Sequence, residues 1–283
     1  MAVAQIRGVN LRYEILGKRG PWMTLSPGGR RSLDEIRYLA EPMAQAGYRV
    51  LIHDRRNCGA SDVAIGGDTS EFQIWADDLF ELLGEVGALP AIVGGSSSGC
   101  RLALAFALRY RASVRALLLW RVTGGAFAAN RLAEQYYGQY IAAARAGGMT
   151  AVCETEHFCD RIAANPANRD TLMRLRPEQF IAAMEKWRAQ FLAAADGPVI
   201  GASADDLASL DVPACVIPGN DKTHGLEEGK KAHRLIPGSE LHYLFDKQID
   251  VDIVPSEEWE AKRDHHAAIM LDFLRRQRMA AAA

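Results

Sequence analysis

The stretch Gly95-Ser96-Ser97-Ser98-Gly99 sets three hydroxyls between two glycines. A serine is a poor nucleophile at neutral pH unless a neighbour takes its proton, so its surroundings decide whether it reacts. Upstream, Ala91-Ile92-Val93 reads as a buried strand; downstream, Arg101 to Tyr110 carries a helical pattern. A serine on such a strand-to-helix turn sits on strained backbone, projects its hydroxyl above the sheet and lies at the positive end of the helix. Small residues must then stand two positions to either side. Gly95 and Gly99 bracket Ser97 in this way, whereas Gly94 and Ser98 would bracket Ser96. The same residues would also suit a turn that merely packs a helix against a strand.

The rest of the chain must position that turn. Apolar runs at Trp22–Leu25, Tyr48–His53, Ala91–Val93, Val114–Trp120, Ala214–Ile217 and Leu241–Phe245 predict strands, and Ala4 to Leu16 predicts a hairpin around Gly8-Val9-Asn10. Amphipathic stretches at Leu33–Ala46, Glu71–Val86 and Gly99–Tyr110 predict helices, the second capped by Ser70 and closed by Gly87. Strands alternating with helices predict an α/β fold with a mostly parallel, doubly wound sheet. From Gly124 to about Leu207 the alternation gives way to alanine-rich helical patterns punctuated by Pro166 and Pro177. The expected organisation is a core of residues 1–123 and 208–283, with an insertion at 124–207 acting as a lid over the sheet's C-terminal edge, where open α/β sheets bind ligands. The terminal alanines are expected to fray.

Counted from Ser97, the sequence Ser97-Ser98-Gly99-Cys100-Arg101-Leu102-Ala103-Leu104, followed by Arg109-Tyr110-Arg111, resembles the nucleophile elbow of the α/β-hydrolase superfamily. Ala103 and Arg109 fall in phase only with Ser97 as nucleophile; Cys100 replaces a glycine and Arg111 a proline. The resemblance covers nearly the whole chain. Ser26-Pro27-Gly28-Gly29 is similar to the family's oxyanion loop, with Pro27 for the usual histidine, and implies that the amides of Gly29 and Ser98 hold the developing oxyanion. Asp54 to Asp62 is similar to a mainly structural loop of the family, with Asn57 in place of a glycine. The family's chain order of serine, acid, histidine implies Asp221 as the acid, in Ile217-Pro218-Gly219-Asn220-Asp221-Lys222-Thr223-His224-Gly225; a surface turn is the plainer reading of that aspartate.

The base breaks the pattern. The family places its histidine in the loop after the last strand, near Ser256, but Asp246 to Trp259 contains none. His242 lies in a strand, His53 ends another, His157 falls in the lid and His233 sits beside Lys231 and Arg234. Three candidates remain: His224, close to the acid, and His265 or His266 on the final helix. His266 shares a helical face with Trp259, Ile269, Met270 and Phe273, which reads as a packed face. His224 is the preferred base, with His265 or His266 as the alternative and a site with no protein base as the third possibility.

Arg30, Arg31, Arg55, Arg56, Arg101 and Arg121 all fall just beyond strand ends or at the next helix start. Salt-bridged scaffold roles suit Arg55 and Arg56; Arg30 or Arg121 is the candidate to meet a substrate carboxylate. Trp120, with Tyr136, Tyr137, Phe158, Phe180 and Trp187, could line an apolar, aromatic pocket or simply hold lid helices together.

The remaining features exclude more than they assign. The chain has 283 residues, 49% of them hydrophobic and 24% charged, and a formal charge of -2, which gives no electrostatic case for nucleic acid or an anionic membrane. The N-terminus lacks a signal-peptide pattern, and no segment is apolar enough to span a bilayer. Five scattered cysteines suit free thiols in a reducing compartment, so a cytoplasmic location is expected. Cys153, His157 and Cys159 lack a fourth metal ligand, and neither metal nor organic cofactor is expected. The expected partner is a small, largely apolar or aromatic substrate, with or without a carboxylate; a homodimer is left open. The leading function is a serine hydrolase that cleaves a small ester, lactone or related acyl bond. The alternatives are carbon–carbon bond hydrolysis of ring-cleavage-type diketone acids, which Trp120-Arg121-Val122-Thr123-Gly124-Gly125 loosely resembles, and a non-catalytic binding protein on the same fold.

Overall fold

The computed structural model describes residues 2–67 and 69–279, so the terminal alanines lie outside the described residues. Strands β1 (Ala2–Ile6) and β2 (Val9–Leu16) form the antiparallel hairpin, with Ile6 opposite Val9. Its turn falls on Arg7 and Gly8, both at positive φ (45° and 79°), one residue earlier than the sequence suggested. Such a two-residue turn matches the twist of the strands it joins. The sheet continues with β3 (Trp22–Ser26), β4 (Arg49–His53), β5 (Ala91–Ser96), β6 (Val114–Trp120), β7 (Ala214–Ile217) and β8 (Glu240–Leu241), in the order β1-β2-β4-β3-β5-β6-β7-β8. β2 meets β4 antiparallel, and every later pairing is parallel.

The last strand is shorter than expected. The His242 amide still donates to Val216 O at 2.9 Å, but the chain then turns under the sheet. There Leu244 is buried and the Phe245 ring packs 5.0 Å from that of Trp259. Burial of these apolar side chains, rather than ladder bonds, sets the path of Leu241–Phe245.

Helix α1 (Arg37–Gln45) follows a 3-10 turn at Leu33–Ile36, α2 is Glu71–Glu85 and α3 is Ser98–Arg109. Ser70 and Gln73 cap α2 reciprocally, as the sequence suggested, and Gly87 follows it at a φ of 66°. Residues 125–208 form α4 (Gly125–Ala133), a π-helical turn (Glu134–Gly138), α5 (Gln139–Cys153, broken at Gly147-Gly148), α6 (Glu156–Ala164), α7 (Ala167–Met173), α8 (Pro177–Leu192) and α9 (Ala204–Ala208). The chain ends with α10 (Leu226–Leu235), α11 (Ser256–Glu260) and α12 (Arg263–Arg276).

Two cores flank the sheet. One joins α2, α3 and the inserted helices to side chains such as Leu51, Val93 and Leu117; the other joins α1 and α12 to Met23, Val50 and Leu118. With both faces covered, the central strands are buried at almost every position. No helix among the described residues is long and apolar enough to cross a membrane.

Candidate active site

The turn from β5 to α3 is built by exclusion. A Cβ on Gly95 would collide with the backbone of Gly99, and one on Gly99 with the carbonyl of Ser26, so both positions admit only glycine. This close approach forces Ser97, at the N-cap of α3, to φ 52° and ψ -108°. A non-glycine residue in that region stores about 1–3 kcal/mol, which the surrounding structure must outweigh.

The loop after β7 faces this turn. His224 Nε2 lies 2.8 Å from Ser97 Oγ, and His224 Nδ1 lies 3.0 and 3.2 Å from the two oxygens of Asp221. Asp221 also accepts the His224 amide at 2.7 Å and the Val254 amide at 2.8 Å. The loop after β8, where the family's histidine is absent, instead braces the acid loop: Lys222 and Thr223 amides donate to Val251 O and Asp252 O, and Thr223 Oγ1 to Asp252 O at 2.6 Å. Ser97, Asp221, Thr223, His224 and Val254 sit buried from solvent at the C-terminal edge of the sheet.

Burial disfavours the charged imidazole, and the nearby Arg121 cation adds to it; together they outweigh Asp221 and lower His224 to about 4. Burial alone would raise the Asp221 carboxyl, but the His224 hydrogen bond, the Val254 amide and Arg121 leave it below its usual value. At neutral pH the pair is therefore a neutral imidazole held by a carboxylate, with one ring nitrogen turned to a serine hydroxyl.

The loop after β3 lies against the same serine. A side chain at Gly28 would begin 3.6 Å from Ser97 Cβ. Arg55 Nη2 donates to the carbonyls of Gly28 (3.3 Å) and Gly29 (2.7 Å), while Ser98 Oγ accepts from Arg55 Nη1 (2.9 Å) and donates to Gly29 O (2.6 Å). In a trans peptide the C=O and N–H point oppositely, so anchoring Gly28 O turns the Gly29 N–H away from Arg55. The Ser98 N–H belongs to the first turn of α3, where amides have no intrahelical partner. A salt bridge was expected for Arg55 as for Arg56; among the described residues Arg56 makes one, to Asp78 at 2.7 Å, and Arg55 does not. Asn57, in the glycine's place, takes a φ of 66°, a conformation asparagine tolerates better than most residues.

Two expectations about substrate contact, those for Arg30 and Trp120, require correction. Arg30 is 6% exposed and bonds Glu71 at 2.8 Å, so its charge is already matched within the protein. Arg121 donates to Val254 O at 2.8 Å and stands 3.7 Å from Asp221, so it supports that carboxylate while also lining the cavity at Ser97. Trp120 is fully buried behind the sheet, edge-on to His266 with centroids 5.4 Å apart, and does not line the cavity at Ser97.

The final-helix histidines are elsewhere. His266 is buried among Trp120, Trp259 and Tyr38, and burial lowers it to about 3; His265 faces solvent. Cys153 is buried on α5 and Cys159 exposed on α6, and no group of three or more His, Cys, Asp or Glu capable of holding a metal occurs among the described residues.

The cavity at Ser97 is small, about 50 Å³, and is lined by Gly28, Gly29, Arg121 and His224 below and by Leu132, Gln135 and Tyr136 of the inserted helices above. Tyr136 is the one residue of the suggested aromatic set in this lining; Phe158, Phe180 and Trp187 are buried in the packing of the insertion.

Comparison with known proteins agrees with this architecture. A family profile described as Serine aminopeptidase, S33, matches residues 21–195. The chain is 31% identical over 114 residues to the uncharacterized hydrolase YraK of Bacillus subtilis, and 33% identical over 121 residues to a proline iminopeptidase of Saccharolobus solfataricus. These matches span 40% and 41% of this chain and only 41% and 38% of the relatives' lengths. Among solved structures, the enol-lactonase of Burkholderia xenovorans LB400 superposes with a TM-score of 0.65 at 20% identity, covering 97% of this chain and 100% of the other. A thermophilic esterase of Thermogutta terrifontis gives 0.66 at 22% identity, and a meta-cleavage product hydrolase of Pseudomonas fluorescens IP01 gives 0.63 at 20%, each covering 98% of both chains. With an eight-stranded, mostly parallel sheet and a family profile spanning the elbow, the chain belongs to the α/β-hydrolase superfamily, in the family described as Serine aminopeptidase, S33.

Proposed function

We propose that the protein is a serine hydrolase that cleaves small ester or lactone bonds through an acyl-enzyme on Ser97. The observation that carries this reading is the 2.8 Å approach of His224 Nε2 to Ser97 Oγ, with Asp221 behind the other ring nitrogen. Ser97 Oγ attacks the carbonyl carbon as His224 takes its proton. The carbonyl oxygen becomes an oxyanion held by the Gly29 and Ser98 amides. The alkoxide leaves with the proton from His224, and water, activated by the same imidazole, releases the acid and restores the serine. Asp221 fixes the tautomer and stabilises the imidazolium while it exists.

The surroundings favour an uncharged or anionic substrate over a free amine. Arg31 and Arg121 line the cavity and are balanced by Glu35 (2.9 Å) and Asp221 (3.7 Å), and Arg101, whose guanidinium has no hydrogen-bond partner among the described residues, lies buried close by. An amino-terminal ammonium would meet net positive charge. The residues that carry the chemistry are all side chains and backbone amides of this chain. Residues 124–207 act as a lid, since Leu132, Gln135 and Tyr136 cover the serine and must move for a substrate larger than the present cavity.

The test is steady-state turnover of p-nitrophenyl esters, lactones and a ring-cleavage dienone by the wild type and Ser97→Ala. Ester or lactone hydrolysis that disappears in Ser97→Ala supports the reading. Turnover of the dienone alone would move the reaction to the carbon–carbon bond class, and no turnover of any of them would favour a binding protein.

A further inference from the structure

Arg101 lies one helical turn beyond Ser97 on α3, its amide bonded to Ser97 O at 3.1 Å. It is 2% exposed, and among the described residues none of its three guanidinium nitrogens has a hydrogen-bond partner. A buried cation without a partner is strongly unfavourable, and an orphaned group of this kind in a folded protein calls for a function. Phe72 and Phe191 pack against it as neighbours, with ring centroids 4.4 and 4.8 Å from its central carbon and 6.2 Å from each other. Rings can stabilise the faces of a guanidinium, but they leave its N–H edge unbonded.

Neighbouring groups do not supply the missing anion. Glu71 bonds Arg30 and the Tyr137 hydroxyl, and Arg55 directs its donors to the Gly28 and Gly29 carbonyls and to Ser98. Two buried guanidiniums, Arg55 and Arg101, thus remain without a carboxylate partner among the described residues, next to the reacting serine. The Arg101 charge also reaches the site, being among the influences that lower His224.

One side chain lies between Arg101 and the cavity. The Tyr136 ring lies 5.9 Å from Arg101 and also lines the roof over Ser97. Tyr136 belongs to the π-helical turn Glu134–Gly138, a helix irregularity that recurs at functional positions.

We propose that Arg101 sets the substrate class: it receives a carboxylate carried by the ester or lactone, admitted when Tyr136 moves aside. This rests on the Ser97 hydrolase reading above. A carboxylate is planar and can meet the N–H edge of Arg101 edge-on, where two parallel N–H···O bonds satisfy the guanidinium. A neutral substrate leaves Arg101 orphaned, so the site discriminates by charge.

Two matched ester pairs test this. p-Nitrophenyl hydrogen adipate against p-nitrophenyl hexanoate puts the carboxylate on the acyl half; 4-carboxyphenyl acetate against phenyl acetate puts it on the leaving half. The wild type should favour the charged member of one pair by at least about tenfold in kcat/KM, mainly through KM. R101M should erase that preference by roughly 10- to 100-fold, and R101K should recover part of it. Equal kcat/KM within both pairs, or a charge preference that survives R101M, overturns the proposal.

Binding gives a readout independent of turnover. Adipate should bind Ser97→Ala by calorimetry and raise its melting temperature, and should do neither in Ser97→Ala combined with R101M. If no ester is hydrolysed but adipate binds through Arg101, the hydrolase reading fails and the carboxylate site stands. If esters turn over without charge preference and adipate does not bind, the reverse holds. R101M should melt no lower than the wild type, because it replaces an unpaired buried charge with an apolar side chain. Should R101M not fold, R101K reads the loss of the fork instead: it should lower the charge preference, and an unchanged preference overturns the proposal.

Discussion

Asp221→Asn isolates what the carboxylate does, because both of its oxygens are committed. Oδ1 accepts the His224 amide at 2.7 Å and Nδ1 at 3.0 Å; Oδ2 accepts the Val254 amide at 2.8 Å. Asparagine offers one oxygen and one NH2. If its oxygen takes the Oδ1 place, NH2 confronts the Val254 N–H. If it takes the Oδ2 place, NH2 confronts the His224 N–H and donates to Nδ1, which moves the ring proton to Nε2 and removes the acceptor for Ser97. Either orientation strands one buried amide, at a cost of about 1–3 kcal/mol. Either also removes the negative charge that stabilises the imidazolium. The expected result is a fall in kcat by a factor on the order of 10³–10⁴, with a stability loss of that small size. Initial rates on p-nitrophenyl acetate and urea unfolding would measure both. Activity within tenfold of wild type in a folded variant would refute the role given to Asp221.

Other consequences follow from burial and close contact. Gly99→Ala should destabilise the protein by roughly 3 kcal/mol or more, since its Cβ collides with the Ser26 carbonyl; unchanged urea unfolding would show that the elbow can relax. With His224 at about 4, kcat/KM should stay level from pH 8 to near 5 and fall below that, whereas a midpoint near 6.5 would contradict the buried environment. His266, at about 3 in the folded state against 6.5 when free, binds its proton first in the unfolded chain. Its contribution to stability is therefore complete above pH 6.5 and is lost, at about 1.4 kcal/mol per pH unit, as pH falls toward 3. His266→Phe should remove that part of the acid sensitivity, and equal losses for variant and wild type between pH 7 and 4.5 would count against it.

The elbow was legible because its constraint is local: Gly95, Ser97 and Gly99 are specified by contacts within a few residues of one another and with the neighbouring strand. The search for a base was also tractable, since few imidazoles fall at the C-terminal edge. Pairing of charges was less legible. Arg30 meets Glu71 across 41 positions and Arg121 meets Val254 across 133, separations that no local pattern encodes. Trp120 was misplaced because β6 is buried on both faces, so alternation along the strand carries no signal for which face a side chain takes. The two-residue β8 was overestimated because Leu244 and Phe245 are apolar for packing beneath the sheet rather than for pairing within it.

The central claim is that Ser97 is activated by His224, and covalent trapping tests it most directly. A fluorophosphonate reacts with an activated serine hydroxyl and leaves a stable adduct. Peptide mapping by mass spectrometry should find one adduct per chain, on Ser97, with labelling slowed by a factor on the order of 10³ in His224→Ala. Labelling at Ser96 or Ser98, no labelling of the wild type, or wild-type labelling rates in a folded His224→Ala variant would contradict the account.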